Sequence, residues 1–246
     1  ELFYPARAGL LPAVQQGHSA FEATFGTDFF SWISGRPELR RAFDAGMGRQ
    51  TEALAQRLAA LLGEEERIVD LGGGQGTLLR AVLGQRPGCT GILLDRPAAL
   101  AGAHRLLEEA GLQERCRIQE GSFFEDLPQG ASSYVLSWIL HDWSDDDCLR
   151  ILRQVRKVLQ PEARLLILEA VLPERVTAPS PVLESDLAML VLLGGQERSE
   201  AEFAALLQAA GLRLSRRVDL GLDRCVLEAR IAEDGGAQAA AAPAAG

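Results

Sequence analysis

Apolar positions along the 246-residue chain change rhythm near residue 63. Before it they recur at helical spacing. One periodic stretch covers 11–25, and Leu39, Phe43, Met47, Leu54, Leu58, Leu61 and Leu62 form a second, with Pro37 placed for its first turn. After it, short continuous apolar runs predict strands at 67–71, 91–95, 115–119, 133–138, 164–169, 212–218 and 224–231. Helical patterns fall between them at 78–83, 98–110, 145–159, 182–192 and 199–210. Ser144 and Asp147 stand at capping-box spacing at the start of the third of these.

Seven strands alternating with helices predict an α/β fold, with a mostly parallel sheet covered by helices on both faces. The last two strands follow each other without a long helix, which predicts an antiparallel hairpin at the sheet edge. The expected organisation is a helical segment over 1–62 packed on a domain over 63–231. An Ala/Gly-rich stretch over 232–246 reads as disordered.

Charge narrows the function classes. Lys and Arg number 25 against 34 Asp and Glu, a formal net charge of −9. With no basic tract, nucleic acid and anionic membranes are poor partners, because phosphate binding needs clustered cations. No apolar run approaches the ~18 residues of a membrane-spanning helix. Cys89, Cys116, Cys148 and Cys225 are far apart, without CxxC pairs or adjacent histidines. They read as reduced thiols of a cytoplasmic protein rather than a zinc site or a disulfide framework, and no metal is expected.

The chemistry begins at Val69-Asp70-Leu71-Gly72-Gly73-Gly74-Gln75-Gly76, a strand, a glycine turn and a helix start. Such a turn lets the backbone approach a ligand closely, beside the unpaired N–H groups of a helix N-terminus. Asp95 ends the next strand, 19 residues beyond Gly76, where an acid can take both hydroxyls of a ribose. This much indicates a nucleoside-containing cofactor. A dinucleotide GxGxxG frame would need glycine or alanine at Thr77 or Leu79, and no P-loop is present. Asp70 also suits a cationic amino-acid group better than a pyrophosphate. The bland alternative is a tight turn that binds nothing.

A second constellation follows. In Ser137-Trp138-Ile139-Leu140-His141-Asp142-Trp143-Ser144 a histidine lies just past a buried strand, at the edge where ligands bind in open α/β sheets. Glu169 ends the following strand and Glu197 lies in a loop before a helix. A lone histidine is usually structural; one that meets two acids at a sheet edge is a candidate general base held by carboxylates. His18 and His104, on expected helices without such company, read as structural.

Taken together, VDLGGGQG, GSFFEDLP, LHDWSDDD and GGQERSEAEF, in this order and spacing, resemble the S-adenosylmethionine-dependent small-molecule O-methyltransferases, and most of all the bacterial members that modify aromatic polyketides and other secondary metabolites. The resemblance runs over 11–231. It implies a Rossmann-like fold and S-adenosylmethionine as cofactor, with S-adenosylhomocysteine as product. By the same resemblance Asp70, Gly72 and Gly74 line the methionine moiety and Asp95 holds the ribose. Ser122 and Phe123 lie along the adenine, and Ser137 and Trp138 flank the cofactor. His141 is the catalytic base with Glu169 and Glu197 beside it, and Met47, Trp138 and Met189 wall an aromatic acceptor. Many members carry an acid where Ser122 stands, and plant enzymes carry lysine where Ser137 stands. The family's N-terminal dimerisation domain is expected to be absent from this chain, which opens on Glu1; the full-length protein is expected to be a homodimer.

Three other readings compete. Some relatives keep the cofactor pocket but hydroxylate, decarboxylate or catalyse pericyclic steps, and these often lack the histidine. A non-enzymatic scaffold domain is the second, and an NAD-dependent dehydrogenase the third. The intact His141, Glu169 and Glu197 argue against the first two, and the failed GxGxxG frame against the last.

Overall fold

The computed structural model describes residues 4–221 and 224–232. Four short helices, α1 (Tyr4–Arg7), α2 (Leu10–Gln16), α3 (Ala20–Phe25) and α4 (Phe29–Ser34), lead into the long α5 (Pro37–Ala59). Gly17, left-handed at φ 69°, closes α2 and splits the periodic stretch of 11–25 in two. His18 therefore lies in a turn rather than on a helix, whereas His104 is helical as expected. Pro37 occupies the first turn of α5.

The remaining elements alternate. They run β1 (Arg67–Leu71), α6 (Thr77–Gln85), β2 (Thr90–Asp95), α7 (Ala103–Glu109), β3 (Cys116–Glu120), β4 (Ser133–Ser137), α8 (Asp145–Val158), β5 (Arg164–Glu169), β6 (Val171–Leu172), α9 (Pro181–Leu193), β7 (Arg198–Ser199), α10 (Glu200–Ala209), β8 (Leu212–Gly221) and β9 (Arg224–Ile231). The helix expected over 98–110 opens with a 3-10 turn, Leu100–Gly102. Ser144 caps α8 by accepting the Asp147 N–H at 3.2 Å, and the Ser199–Glu202 capping box starts α10.

Seven strands form one sheet in the order β3-β2-β1-β4-β5-β9-β8. The first five are parallel, and β9 runs antiparallel to both β5 and β8. The chain builds outward from β1 on one side and from β4 on the other. Their carboxyl ends therefore face a crevice where the strand order reverses. Continuous apolar runs make strands buried on both faces, as in β4 and β5.

One core lies between the sheet and α8 and α10, and includes Ile151, Leu152, Val155 and Phe203. A second holds Leu54 and Leu58 of α5 against Leu78, Leu79 and Leu83 of α6. A third joins the N-terminal helices to α9 through Phe21, Phe29, Ile33 and Val191. Ser19 Oγ donates to the Leu192 carbonyl at 3.0 Å and ties that third core to α9. All four cysteines are free and buried. The outer strand β8 presents Arg213, Arg216 and Arg217, charges that discourage further strand pairing. No helix among the described residues is long and apolar enough to cross a membrane.

The sequence pattern did not foresee β6 and β7, which pair in parallel, Val171 with Arg198 and Leu172 with Ser199. Two residues are too few to show a period. The Ala/Gly-rich stretch lies outside the described residues except for Ala232.

Candidate active site

The glycine turn after β1 is built for close approach. A Cβ on Gly72 would press on Ile139 and Phe123, and one on Gly73 would collide with the Asp70 carboxylate and the Leu93 side chain. Gly74, left-handed at φ 57°, faces open space. Its N–H donates to Asp95 Oδ2 at 2.8 Å, and the Arg96 N–H donates to Oδ1 at 2.6 Å. Asp95 is thus fixed in orientation at the rim, with lone pairs left for a ligand. Asp70 lies fully buried under the turn, and neither carboxylate oxygen has a hydrogen-bond partner among the described residues. Burial, and then the negative charge of Asp95, push it up to about 7.

The facing wall comes from the end of β4. Trp138 is the one non-glycine residue at positive φ (59°) among the described residues, a strained conformation for a bulky side chain. Its Nε1 and the Ser137 hydroxyl are both buried without partners among the described residues. The Arg224 guanidinium stacks over the indole at 4.3 Å, and the His141 ring lies 5.7 Å from it. Ser122 and Phe123 reach the same region because the Gly121 N–H donates to the Asp95 carbonyl at 3.1 Å. Ser122 Oγ accepts the Phe124 N–H at 3.2 Å.

His141 sits in a 3-10 turn, Leu140–Asp142, and is 5% exposed. Nδ1 lies 3.2 Å from Glu197 Oε1 and 3.5 Å from Glu169 Oε2; Nε2 lies 3.3 Å from Asp142 Oδ1. Both glutamates are buried. Glu169 Oε1 accepts the backbone N–H groups of Ile139 at 3.0 Å and Leu140 at 2.9 Å, so it also caps the turn. Glu197 Oε1 accepts the Ser185 hydroxyl at 2.6 Å, and Asp186 Oδ1 accepts the Glu197 N–H at 2.9 Å.

The charges follow from this packing. Burial opposes a charged imidazole, but the carboxylates of Glu169, Asp142 and Glu197 outweigh it and hold His141 up to about 10. Burial raises Glu169 more than His141 and the N–H donors lower it. In Glu197 burial loses to the His141 contact, with help from Ser185 and Arg224, and the group is held low. Glu197 is therefore the ionised partner of an imidazolium. Asp142 rises to about 7, through burial and the two glutamates, against the pull of His141.

The structure thus brings together all three residues expected around the base, and joins Gly74 to Asp95. Met47 and Met189 stand half-buried on α5 and α9. The Met189 carbonyl accepts the Gly195 N–H at 3.3 Å, which ties α9 to the loop carrying Glu197. Sequence reasoning missed Asp142, Ser185, Asp186 and Arg198. Asp142 and Arg198 stood inside the quoted motifs, but only burial marks them out.

The residues fit the cofactor. Asp70 offers an uncompensated buried carboxylate to an amino cation, Asp95 an oriented carboxylate to ribose hydroxyls, and Gly74 an open backbone between them. His141, Glu169 and Glu197 also have ligand atoms within 4.8 Å of one another, as a metal site would. Here Nδ1 faces two carboxylates and Glu169 Oε1 is taken up by peptide N–H groups, an arrangement that holds a proton.

Comparison with known proteins converges on one family. A family profile described as an O-methyltransferase domain matches residues 8–213. A mitomycin biosynthesis 6-O-methyltransferase of Streptomyces lavendulae is 42% identical over 214 residues, 86% of this chain and 61% of the relative. The chain therefore spans about three fifths of that protein's length. The solved structure of a mitomycin 7-O-methyltransferase superposes with a TM-score of 0.88 at 40% identity, covering 93% of this chain and 68% of the other. That of an O-methyltransferase from neocarzinostatin biosynthesis, in complex with S-adenosylmethionine and 2-hydroxy-5-methyl naphthoic acid, gives 0.83 at 32% identity, covering 92% and 68%.

Proposed function

The chain belongs to the family of O-methyltransferase domains, and from that membership we propose that it transfers the methyl group of S-adenosylmethionine to a phenolic or enolic hydroxyl of a small aromatic metabolite, with His141 as general base. The observation that carries this reading is the buried His141 with Nδ1 3.2 Å from Glu197, one turn from the wall that faces the glycine loop. When bound, S-adenosylmethionine would supply an electrophilic methyl on a sulfonium, with S-adenosylhomocysteine as the product. Asp70, Gly72 and Gly74 would hold its amino-acid end, Asp95 its ribose, and Ser122 and Phe123 the adenine side.

The protein's own task is alignment and one proton. An ordinary histidine near 6.5 is a weak base for a phenol near 10, a mismatch of about 5 kcal/mol. The carboxylates around His141 match the ring to the phenol by holding it up to about 10, which leaves it protonated near pH 7. Nε2 must therefore first give up its proton, with Asp142 Oδ1 3.3 Å away as the adjacent acceptor. Once neutral at Nε2, His141 accepts the hydroxyl proton as the oxygen attacks, and Glu197 stabilises the imidazolium at Nδ1. Asp142 beside Nε2 orients the same hydroxyl. Trp138, Met47 and Met189 suit an aromatic acceptor, with the 1–62 segment as one wall. The protein is proposed to act in the cytoplasm as a homodimer.

The test is titration of the chain with S-adenosylhomocysteine, with NAD as control, followed by phenolic acceptors with the wild type and His141→Ala. Cofactor binding unchanged with turnover lower by about 10²–10⁴-fold is expected. Unchanged turnover removes the base assignment; binding of NAD alone removes the cofactor assignment.

A further inference from the structure

Arg198 is 0% exposed, and the proposed chemistry does not use it. A buried guanidinium is retained only where its donors are matched. Here Nη1 donates to the Leu140 carbonyl at 2.8 Å and Nη2 to the Trp143 carbonyl at 2.8 Å. Nε and Nη2 also donate to Asp145 Oδ1, at 3.0 and 2.7 Å. The two carbonyls bracket His141 in the chain, so the planar fork spans the turn that carries the base. Neighbours of Arg198 grip the same turn. The Gln196 N–H donates to the His141 carbonyl at 2.9 Å, and Gly195 lies so close to that oxygen that a Cβ would overlap it.

The backbone of Arg198 completes the connection. It directly follows Glu197, and in the β6–β7 pair it stands opposite Val171, two residues after Glu169. One residue is therefore tied to all three parts of the cluster: to the turn through its side chain, to Glu197 as its chain neighbour, and to Glu169 through the strand pair two residues further along. The groups facing His141 are Glu169 from β5, Glu197 ahead of β7 and Asp142 of its own turn, with Arg224 of β9 acting on Glu197.

We propose that Arg198 is a positioning residue for the base: its guanidinium fixes the 140–143 turn against the strands carrying Glu169 and Glu197, so that the His141 ring meets both carboxylates. The role rests on the general-base reading above for its importance to turnover, but not for its geometry. Lysine cannot replace it, because one ammonium cannot span two carbonyls and a carboxylate in a plane.

The experiment uses the whole chain as wild type, Arg198→Lys and Asp145→Asn, the latter removing the exposed acid that anchors the fork. With three histidines in the sequence, His141 is followed by ¹³Cε1 NMR across pH, assigned with His141→Asn. In folded Arg198→Lys the His141 midpoint falls by more than about one pH unit toward its ordinary 6.5. Turnover with a phenolic acceptor drops about 10²-fold while KM for S-adenosylmethionine holds. Asp145→Asn moves the midpoint the same way by less, with an unfolding temperature near wild type, and decides the matter if Arg198→Lys does not fold. A His141 titration unchanged in the folded variants overturns the proposal. The titration needs neither cofactor nor acceptor, so failure of the methyl-transfer reading shows separately, as a wild type that titrates normally but transfers nothing.

Discussion

Glu169 meets His141 twice: its Oε1 accepts the His141 backbone N–H at 3.4 Å, and its Oε2 lies 3.5 Å from the ring Nδ1. One carboxylate thus shapes the turn and faces the ring, and two substitutions separate these jobs. Glu169→Gln keeps an oxygen for the N–H groups of Ile139 and Leu140, so its unfolding temperature stays near wild type while turnover falls about tenfold or more. Glu169→Ala orphans those buried donors, at about 1–3 kcal/mol each. Thermal melts of the two variants beside turnover check this; equal melting temperatures would refute the capping role.

His141 sets a pH dependence of stability. Its folded value is raised from 6.5 to about 10, so the cluster's contribution is fully present below 6.5 and is lost as pH rises through about 10. The difference in unfolding temperature between wild type and His141→Asn is expected to shrink steadily across that window. A difference that grows with pH would mean the ring is neutral in the folded protein.

Asp70 carries the same sign at lower pH, since its folded value is also raised. It is protonated in both states below 3.8, and between 3.8 and about 7 the folded chain holds a proton that the unfolded chain has lost. Rising pH across this window therefore costs stability through this group, and Asp70→Asn removes that slope. If Asp70 receives an amino cation, S-adenosylhomocysteine binds more tightly above pH 7 than at pH 6 and expels a proton on binding. Calorimetry in buffers of different ionisation enthalpy reads the proton; equal heats in all buffers would exclude the pairing.

Chelation tests the proton-holding reading of the three-residue cluster. With Nδ1 facing Glu197 at 3.2 Å and Glu169 Oε1 taken by backbone donors, methyl transfer is expected to be indifferent to EDTA. A rate lost on dialysis against EDTA and restored by a divalent ion would assign the cluster to a metal.

The sheet was largely legible because burial on both faces writes a strand as an unbroken apolar run. The strands at 164–169 and 224–231 end where the pattern ends. The break at Gly17 was not, since apolar spacing continues on both sides and only a left-handed φ interrupts the helix. His141 and Glu169 were expected together from strand alternation, which puts strand ends on one edge whatever their separation in sequence, whereas Glu197, in a loop before a helix, was expected there through the family resemblance. Arg198 escaped notice because an arginine is ordinarily a surface residue, and nothing local reveals that four acceptor contacts await it in the core. The backbone strain at Trp138 is equally silent, being imposed by what surrounds the residue.

The two-residue strands β6 and β7 divide the molecule's later half into a fixed frame and an interchangeable insert. Everything between them, 173–197 with α9 and Met189, leaves the frame at Leu172 and returns at Arg198. Within that stretch the terminal 194–197 portion is committed to the base, and so are Ser185 and Asp186 of α9, which hold Glu197. A longer or differently shaped excursion over 173–180, ahead of α9, can reshape the acceptor's surroundings without touching the groups that hold either acid, so selectivity and reactivity are free to drift separately in descendants of this chain.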